Sequence, residues 1–353
     1  MTHPKKISYS ILELALISEG RTTAETLKES LDLAQKAEDF GYERFWLAEH
    51  HNSIHIASSA TVVLIGYIAA GTKKIRVGSG GIMLPNHSPL IVAEQFGTLG
   101  TLYPNRIDLG LGRAPGTDQE TAHAIRSDRM HSVYRFPEEV GQILKYLSEE
   151  NQDSRIRAAV AEGVAMPLYI LGSSTDSARL AAKMGLPYAF ASHFATTYLF
   201  DALDIYYNEF QPSRFLKEPY TIAGINVIVA DTDAEAVKQS TTLIRMFLGV
   251  FTGKREYLQK PVEMTPELRQ VSQDPSVHQM LKYTFAGNKE TVKKKTEDFL
   301  KETRVNELMV VSNMYDHDDR VKSYRIFSEI MGEIQGNKDP LQKHSLNPAF
   351  GKS

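Results

Sequence analysis

Arg44-Phe45-Trp46-Leu47-Ala48-Glu49-His50-His51, Ile75-Arg76-Val77-Gly78-Ser79-Gly80-Gly81 and Arg106-Ile107-Asp108-Leu109-Gly110-Leu111-Gly112-Arg113-Ala114-Pro115-Gly116 follow one plan. Each starts as a short apolar run and stops in polar or glycine-rich residues. Strands that deliver polar groups at their carboxyl ends are what a parallel α/β barrel or an open α/β sheet requires of an active site.

Outward from these three runs the same alternation continues. Ile7–Leu12 reads as a first strand, and Thr23–Phe40 as a helix with Leu27, Leu31, Ala34, Ala37 and Phe40 on one face, stopped by Gly41. Ser58–Ala70 and Pro89–Leu102 read as helices, the second opened by proline. Thr117–Arg135 and Pro137–Leu147 also have helical patterns. The second half gives strands at Pro167–Leu171, Tyr188–Ala191, Ala223–Ala230 and Glu307–Ser312, with helices at Thr175–Met184, Thr196–Phe210 and Asp319–Met331. Eight strands in βα units with right-handed crossovers predict a (β/α)8 TIM barrel, closed rather than open. One long step, about 231–303, breaks the spacing between strands 7 and 8. It has helical patterns at Ala234–Leu248 and Glu290–Lys301 and a polar middle, so it is expected as a helical insertion over the barrel mouth, a candidate lid. The chain is thus expected to be one domain over residues 1–333, with 334–353 a disordered polar tail.

Composition narrows the function. The 353 residues are 42% hydrophobic, enough for a large core, and the formal net charge of -3 gives no reason to expect nucleic acid as a partner. With no cysteine there is no disulfide, thiolate metal site or cysteine nucleophile. The amino terminus carries no long apolar stretch, and Ile11–Ile17 is short and interrupted by Glu13, so neither signal peptide nor membrane span is expected and a cytoplasmic location follows as the default.

Four stretches carry the candidate chemistry. His50 and His51 end a strand, so their side chains diverge, and the one facing the axis has a proton to give or take near neutral pH; the alternative is a histidine that only shapes its loop. A metal site built from His50, His51, His55 and His87 would need convergent ligands, and no HxH pair or carboxylate-rich strand end supports it. Gly80 and Gly81 leave room for a flat ligand or form an ordinary turn, and Asn86 and His87 sit between two prolines as candidate contacts. Gly110–Gly116 imitates a dinucleotide fingerprint poorly, since its last glycine is late and Pro115 interrupts the helix start. Arg113 in that stretch suits a phosphate clamp, or else an ion pair with a carboxylate such as Asp118. Gly172, Ser173 and Ser174 lie between a strand and a helix, where backbone amides and hydroxyls bind phosphate or simply cap the helix. No G-x-S-x-G elbow supports nucleophilic catalysis.

Taken together and in order, AEHHN, VGSGGIMLPNHSPL, AEQF, LYPNRIDLGLGRAPGTD and LGSS resemble the flavin-dependent luciferase-like monooxygenases, in particular the single-chain bacterial group with the GRAPGTD signature. The resemblance runs from Ile7 to about Met331 and is strongest over Phe40–Asp118. It implies a barrel that binds reduced FMN (FMNH2) at the strand ends and uses it with O2 to oxygenate a small organic substrate. It implies that His50 assists proton transfer, that Gly80-Gly81 is a cis pair against the flavin ring, and that Arg113 with Gly172, Ser173 and Ser174 holds the phosphate. It further implies a separate NAD(P)H:flavin reductase as transient partner and a homodimer formed through helices beside the early strands. The chain departs from the light-emitting members at Gly112, where they have cysteine, and at Glu13, where aspartate is expected. Two other readings use the same barrel: hydride transfer with the deazaflavin F420, and a flavin-binding barrel without turnover.

Overall fold

The computed structural model describes residues 6–336, the side chains of 129 and 130 excepted. In chain order the elements are β1 (Ser8–Glu13), α1 (Thr23–Asp39), β2 (Arg44–Leu47), α2 (Thr61–Gly71), β3 (Arg76–Ser79), β4 (Ile82–Met83), α3 (Pro89–Leu102) and β5 (Ile107–Gly112). There follow α4 (Gln119–Ile125), α5 (Arg129–Tyr134), α6 (Phe136–Tyr146), β6 (Leu168–Gly172), α7 (Thr175–Met184), β7 (Tyr188–Phe190), α8 (Leu199–Glu209) and β8 (Thr221–Val229). The chain continues through α9 (Asp233–Thr252), α10 (Pro266–Gln273), α11 (Pro275–Leu281), β9 (Thr284–Gly287), α12 (Lys289–Thr303), β10 (Glu307–Val311) and α13 (His317–Ile334).

Strands β1, β2, β3, β5, β6, β7, β8 and β10 pair in that order, all parallel, and β10 pairs with both β8 and β1. The sheet is therefore closed, and the predicted (β/α)8 TIM barrel is what the chain forms. Helix boundaries follow local chemistry. Thr22 and Glu25 make a reciprocal capping box at α1, and Gly185 at φ 62° ends α7.

Period-two alternation sorts each strand into an outer and an inner set. The outer set (Ile11, Phe45, Val77, Leu109, Ile170, Ala223, Val310) packs under the helices in the main core. The inner set fills the barrel, with Leu12, Trp46, Tyr169, Ala189, Ile222 and Met309 as its apolar middle. Below that middle, at the amino-terminal end, is a buried ionic floor. Arg44 donates to Asp108 (2.7 Å), Glu307 (2.7 Å) and the Tyr169 hydroxyl (2.8 Å). Arg76 adds a second guanidinium on Asp108, and Tyr220 and Ser10 donate to Glu307. Two cations thus meet two carboxylates, and every carboxylate oxygen accepts at least one hydrogen bond, which is the condition under which buried charges are tolerated.

Some expectations needed correction. The helix expected over Thr117–Arg135 is two helices, α4 and α5, because Arg126 adopts an extended backbone and its guanidinium turns to the His87 carbonyl (2.6 Å) and to Asp128 (2.8 Å). The segment between β8 and β10 holds α9–α12 but also β9, a strand too short to read from its sequence, which pairs with the upper half of β8 from Asn226 to Val229. Beyond α9 the chain crosses to the β1 loop, where the Leu258 amide donates to Ile17 O (2.9 Å) and Leu258 O accepts from Glu19 (2.8 Å). The terminal helix α13 runs to Ile334, the first residue of the expected tail, and residues 337–353 lie outside those described.

Candidate active site

The inner series continues past the apolar middle to the carboxyl end of the barrel. The inner set reaches Ala48 just past β2 and Ala189 on β7, and His50 and His193 each follow three residues beyond those strand ends. With eight strands in the ring, β2 and β7 are four apart, and the two histidines after them are close enough for the His50 charge to act on His193. Gly80 and Gly81 follow β3, Arg113 follows β5, and Ser173 follows β6.

Arg113 and the Gly172–Ser174 corner come from neighbouring strands, and the Arg113 guanidinium reaches Asp176 in the first turn of α7 at 3.5 Å. The acid named beforehand, Asp118, is engaged elsewhere, capping α4 through the Thr121 amide (2.9 Å) and accepting from Asn52 (3.3 Å). Ser174 occupies the cap position of α7, yet its side chain makes no capping bond, so the helix keeps its leading amides for another acceptor. Its carbonyl accepts from Ser177 (2.8 Å) and from Tyr188 (3.1 Å), which fixes the corner on β7.

The Gly80-Gly81 peptide is cis, the form the resemblance implies. A Cβ at Gly80 would stand 2.6 Å from Leu12 Cδ1 and 3.0 Å from Trp46 Cβ, so a larger residue there would have to displace the apolar middle. Gly116 is at φ +65°, and its carbonyl accepts from the His51 amide (3.2 Å) and lies 3.3 Å from His50 Nδ1. A carbonyl only accepts, so Nδ1 carries the ring proton and Nε2 is left as the basic nitrogen. Burial lowers the His50 pKa below its ordinary value, against the opposing effect of the Gly116 carbonyl, so the ring is neutral near pH 7. Burial also pushes His193 down to about 4, with His50 adding to the effect.

Sequence reasoning missed the organising group of this site. Glu49, 2% exposed, accepts from His51 Nε2 (3.0 Å), His87 Nε2 (2.9 Å), the Asn86 amide (3.3 Å) and the Met83 backbone amide (3.1 Å). Burial opposes its charge, but His51, His87 and the Met83 amide prevail and hold its pKa at about 2. Asn86 and His87, expected as ligand contacts, are instead turned onto this carboxylate. The signal was present as a carboxylate at a strand end followed by two histidines, but its partner His87 lies 38 residues away in the chain. Among the described residues no group of histidines and acids is arranged to hold a metal ion. A cleft of about 530 Å³ lies at the opposite, amino-terminal end, lined in part by Arg76, Asn105, Pro167, Pro187 and Arg214.

Residues 8–323 match the family described as luciferase-like monooxygenase. The chain belongs to the luciferase-like monooxygenase family. A relative in Bacillus subtilis (strain 168), YvbT, is 49% identical over 91% of this chain and 96% of its own length. A luciferase-like monooxygenase of Escherichia coli (strain K12) is 44% identical over 94% of this chain and 99% of its own. Of solved structures, apo-MsnO8 superposes with a TM-score of 0.83 at 34% identity, covering 92% of this chain and 98% of that one. More distant structures share the fold alone, among them the oxygenating constituent of 3,6-diketocamphane monooxygenase with FMN (16%, TM-score 0.68) and an F420-dependent secondary alcohol dehydrogenase (18%, TM-score 0.67). Family membership supports a monooxygenase-type oxidoreductase. No helix among the described residues is long and apolar enough to cross a membrane.

Proposed function

We propose that this protein is an FMNH2- and O2-dependent monooxygenase of a small organic substrate. The observation that carries the reading is the meeting of Arg113 with the start of α7, where the guanidinium reaches Asp176 in a first turn whose cap residue, Ser174, makes no capping bond. That combination fits a phosphate tail, and the Gly80-Gly81 pair after β3 suits the flat ring that the family implies. The present ion pair to Asp176 does not argue against it, since both partners are largely exposed and such pairs contribute little. FMN, when bound, would supply the redox chemistry with O2. The chain's part is to hold the phosphate at Arg113, Gly172, Ser173 and Ser174, to seat the ring against Gly80 and Gly81, and to accept or return a proton at His50 Nε2.

No dinucleotide fingerprint accompanies the barrel, which favours reduced flavin arriving from a separate NAD(P)H:flavin reductase in the cytoplasm. The partner most consistent with the surface is a second copy. Val63 (70% exposed) on α2 and Leu102 (64%) on α3 lie on the two helices that flank the early strands.

Titration with FMN and riboflavin, followed by flavin fluorescence, tests the phosphate assignment. Arg113→Ala should weaken FMN by roughly 10–100-fold, the loss of a charge-assisted contact of about 1.5–3 kcal/mol, and leave riboflavin within about twofold. Equal losses for both ligands would remove the assignment. Running F420 in the same titration, and oxygen uptake with FMNH2, separates this reading from hydride transfer and from a barrel without turnover.

A further inference from the structure

We propose that Glu49 is a positioning residue: its carboxylate sets the loop that carries Arg113, and so the phosphate corner, without itself touching the ligand. The inference rests on the phosphate reading given above. The geometry runs through one amide. Asn86 Nδ2 donates both to Glu49 Oε1 (3.3 Å) and to the Pro115 carbonyl (2.9 Å), two residues beyond Arg113. Glu49 is in turn fixed from the other side by the Met83 amide and by His87, whose own carbonyl accepts from Arg126 (2.6 Å).

The backbone completes the latch. The Gly116 carbonyl accepts from the His51 amide, Thr117 Oγ1 donates to the His51 carbonyl (3.0 Å), and a Cβ at Gly116 would stand 2.6 Å from the Glu49 carbonyl. The loops after β2, β4 and β5 therefore share one buried anion. Arg113 is tied on its carboxyl side to that anion and faces α7 on the other. Neutralising Glu49 leaves His51, His87 and Asn86 competing for a weaker acceptor, and the Arg113 loop loses its reference point. In a low-dielectric site a carboxylate with several donors is worth more than the separate bonds, so the effect should exceed that of a surface bond.

A double-mutant cycle on FMN affinity tests this. Glu49→Gln should weaken FMN by about tenfold while riboflavin, which has no phosphate, stays within about twofold. In the Arg113→Ala background Glu49→Gln should add less than a further threefold, because the group it positions is already gone. A carboxylate that merely stabilised the fold would weaken both flavins alike and give losses that multiply; either result overturns the proposal. Should Glu49→Gln fail to fold, Asn86→Ala breaks the same link and enters the same cycle with the same expectations. If the unaltered protein binds riboflavin as well as FMN, the phosphate reading falls and takes this inference with it. If it prefers FMN and the cycle is multiplicative, only the role of Glu49 falls.

Discussion

His193 shows how a single residue records its surroundings. Its ring lies over Gly224, where a Cβ would overlap Nδ1, and Nδ1 is buried without a partner. The cost of charging such a ring is desolvation, joined by the His50 charge, and it puts the folded pKa at about 4 against an ordinary 6.5. The unfolded chain therefore binds the proton first. Stability from this residue is complete above pH 6.5 and is lost as pH falls towards 4. Between pH 7 and 4 the wild type should lose up to about 3 kcal/mol more than His193→Leu, read from urea midpoints at each pH. Parallel loss in both proteins would mean that other groups carry the acid sensitivity.

The β6–α7 corner illustrates what is decided at the level of an element. Gly172 ends the strand directly against Ser177 in the first turn of the helix, and an added Cβ would overlap both Cβ and Oγ of that serine. The short connection leaves neither element room to retreat. Gly172→Ala should destabilise the protein by about 1–3 kcal/mol, the usual cost of overpacking, and Ser177→Gly in the same chain should recover most of it. Denaturant midpoints of the three proteins give the answer, with no recovery pointing to backbone conformation rather than crowding. At the same corner Ser174 makes no capping bond.

For the whole molecule, α2 is apolar on almost every side, yet it has a barrel to cover on only one. Its Leu64, Ile65, Ile68 and Ala69 are buried and its Val63 and Tyr67 are left outside. Ile91 and Leu102 on α3 continue the exposed set. A helix apolar all round is ordinarily covered all round. Light scattering on a sizing column should give a dimer mass for the wild type and a monomer for Val63→Glu with Leu102→Glu. A monomer in both would leave the patch unexplained by self-association.

Local chemistry in the sequence determined the barrel itself. Runs such as Arg106–Leu109 ending in glycines, the Gly41 stop after α1 and the Gly185 stop of α7 act over a few residues, so they are legible without a fold. The positions of His50, Gly80, Arg113 and Ser173 at strand ends were legible for the same reason. Other features depended on contacts between distant residues. Arg44, Asp108 and Glu307 look like ordinary strand charges until ring closure faces them inward across up to 263 residues. Asn86 and His87 look like ligand contacts until the β2 end brings Glu49 beneath them. Which carboxylate meets which donor is fixed by the closing of the sheet, because pairing partners are chosen by distance in space and the chain order carries no record of it.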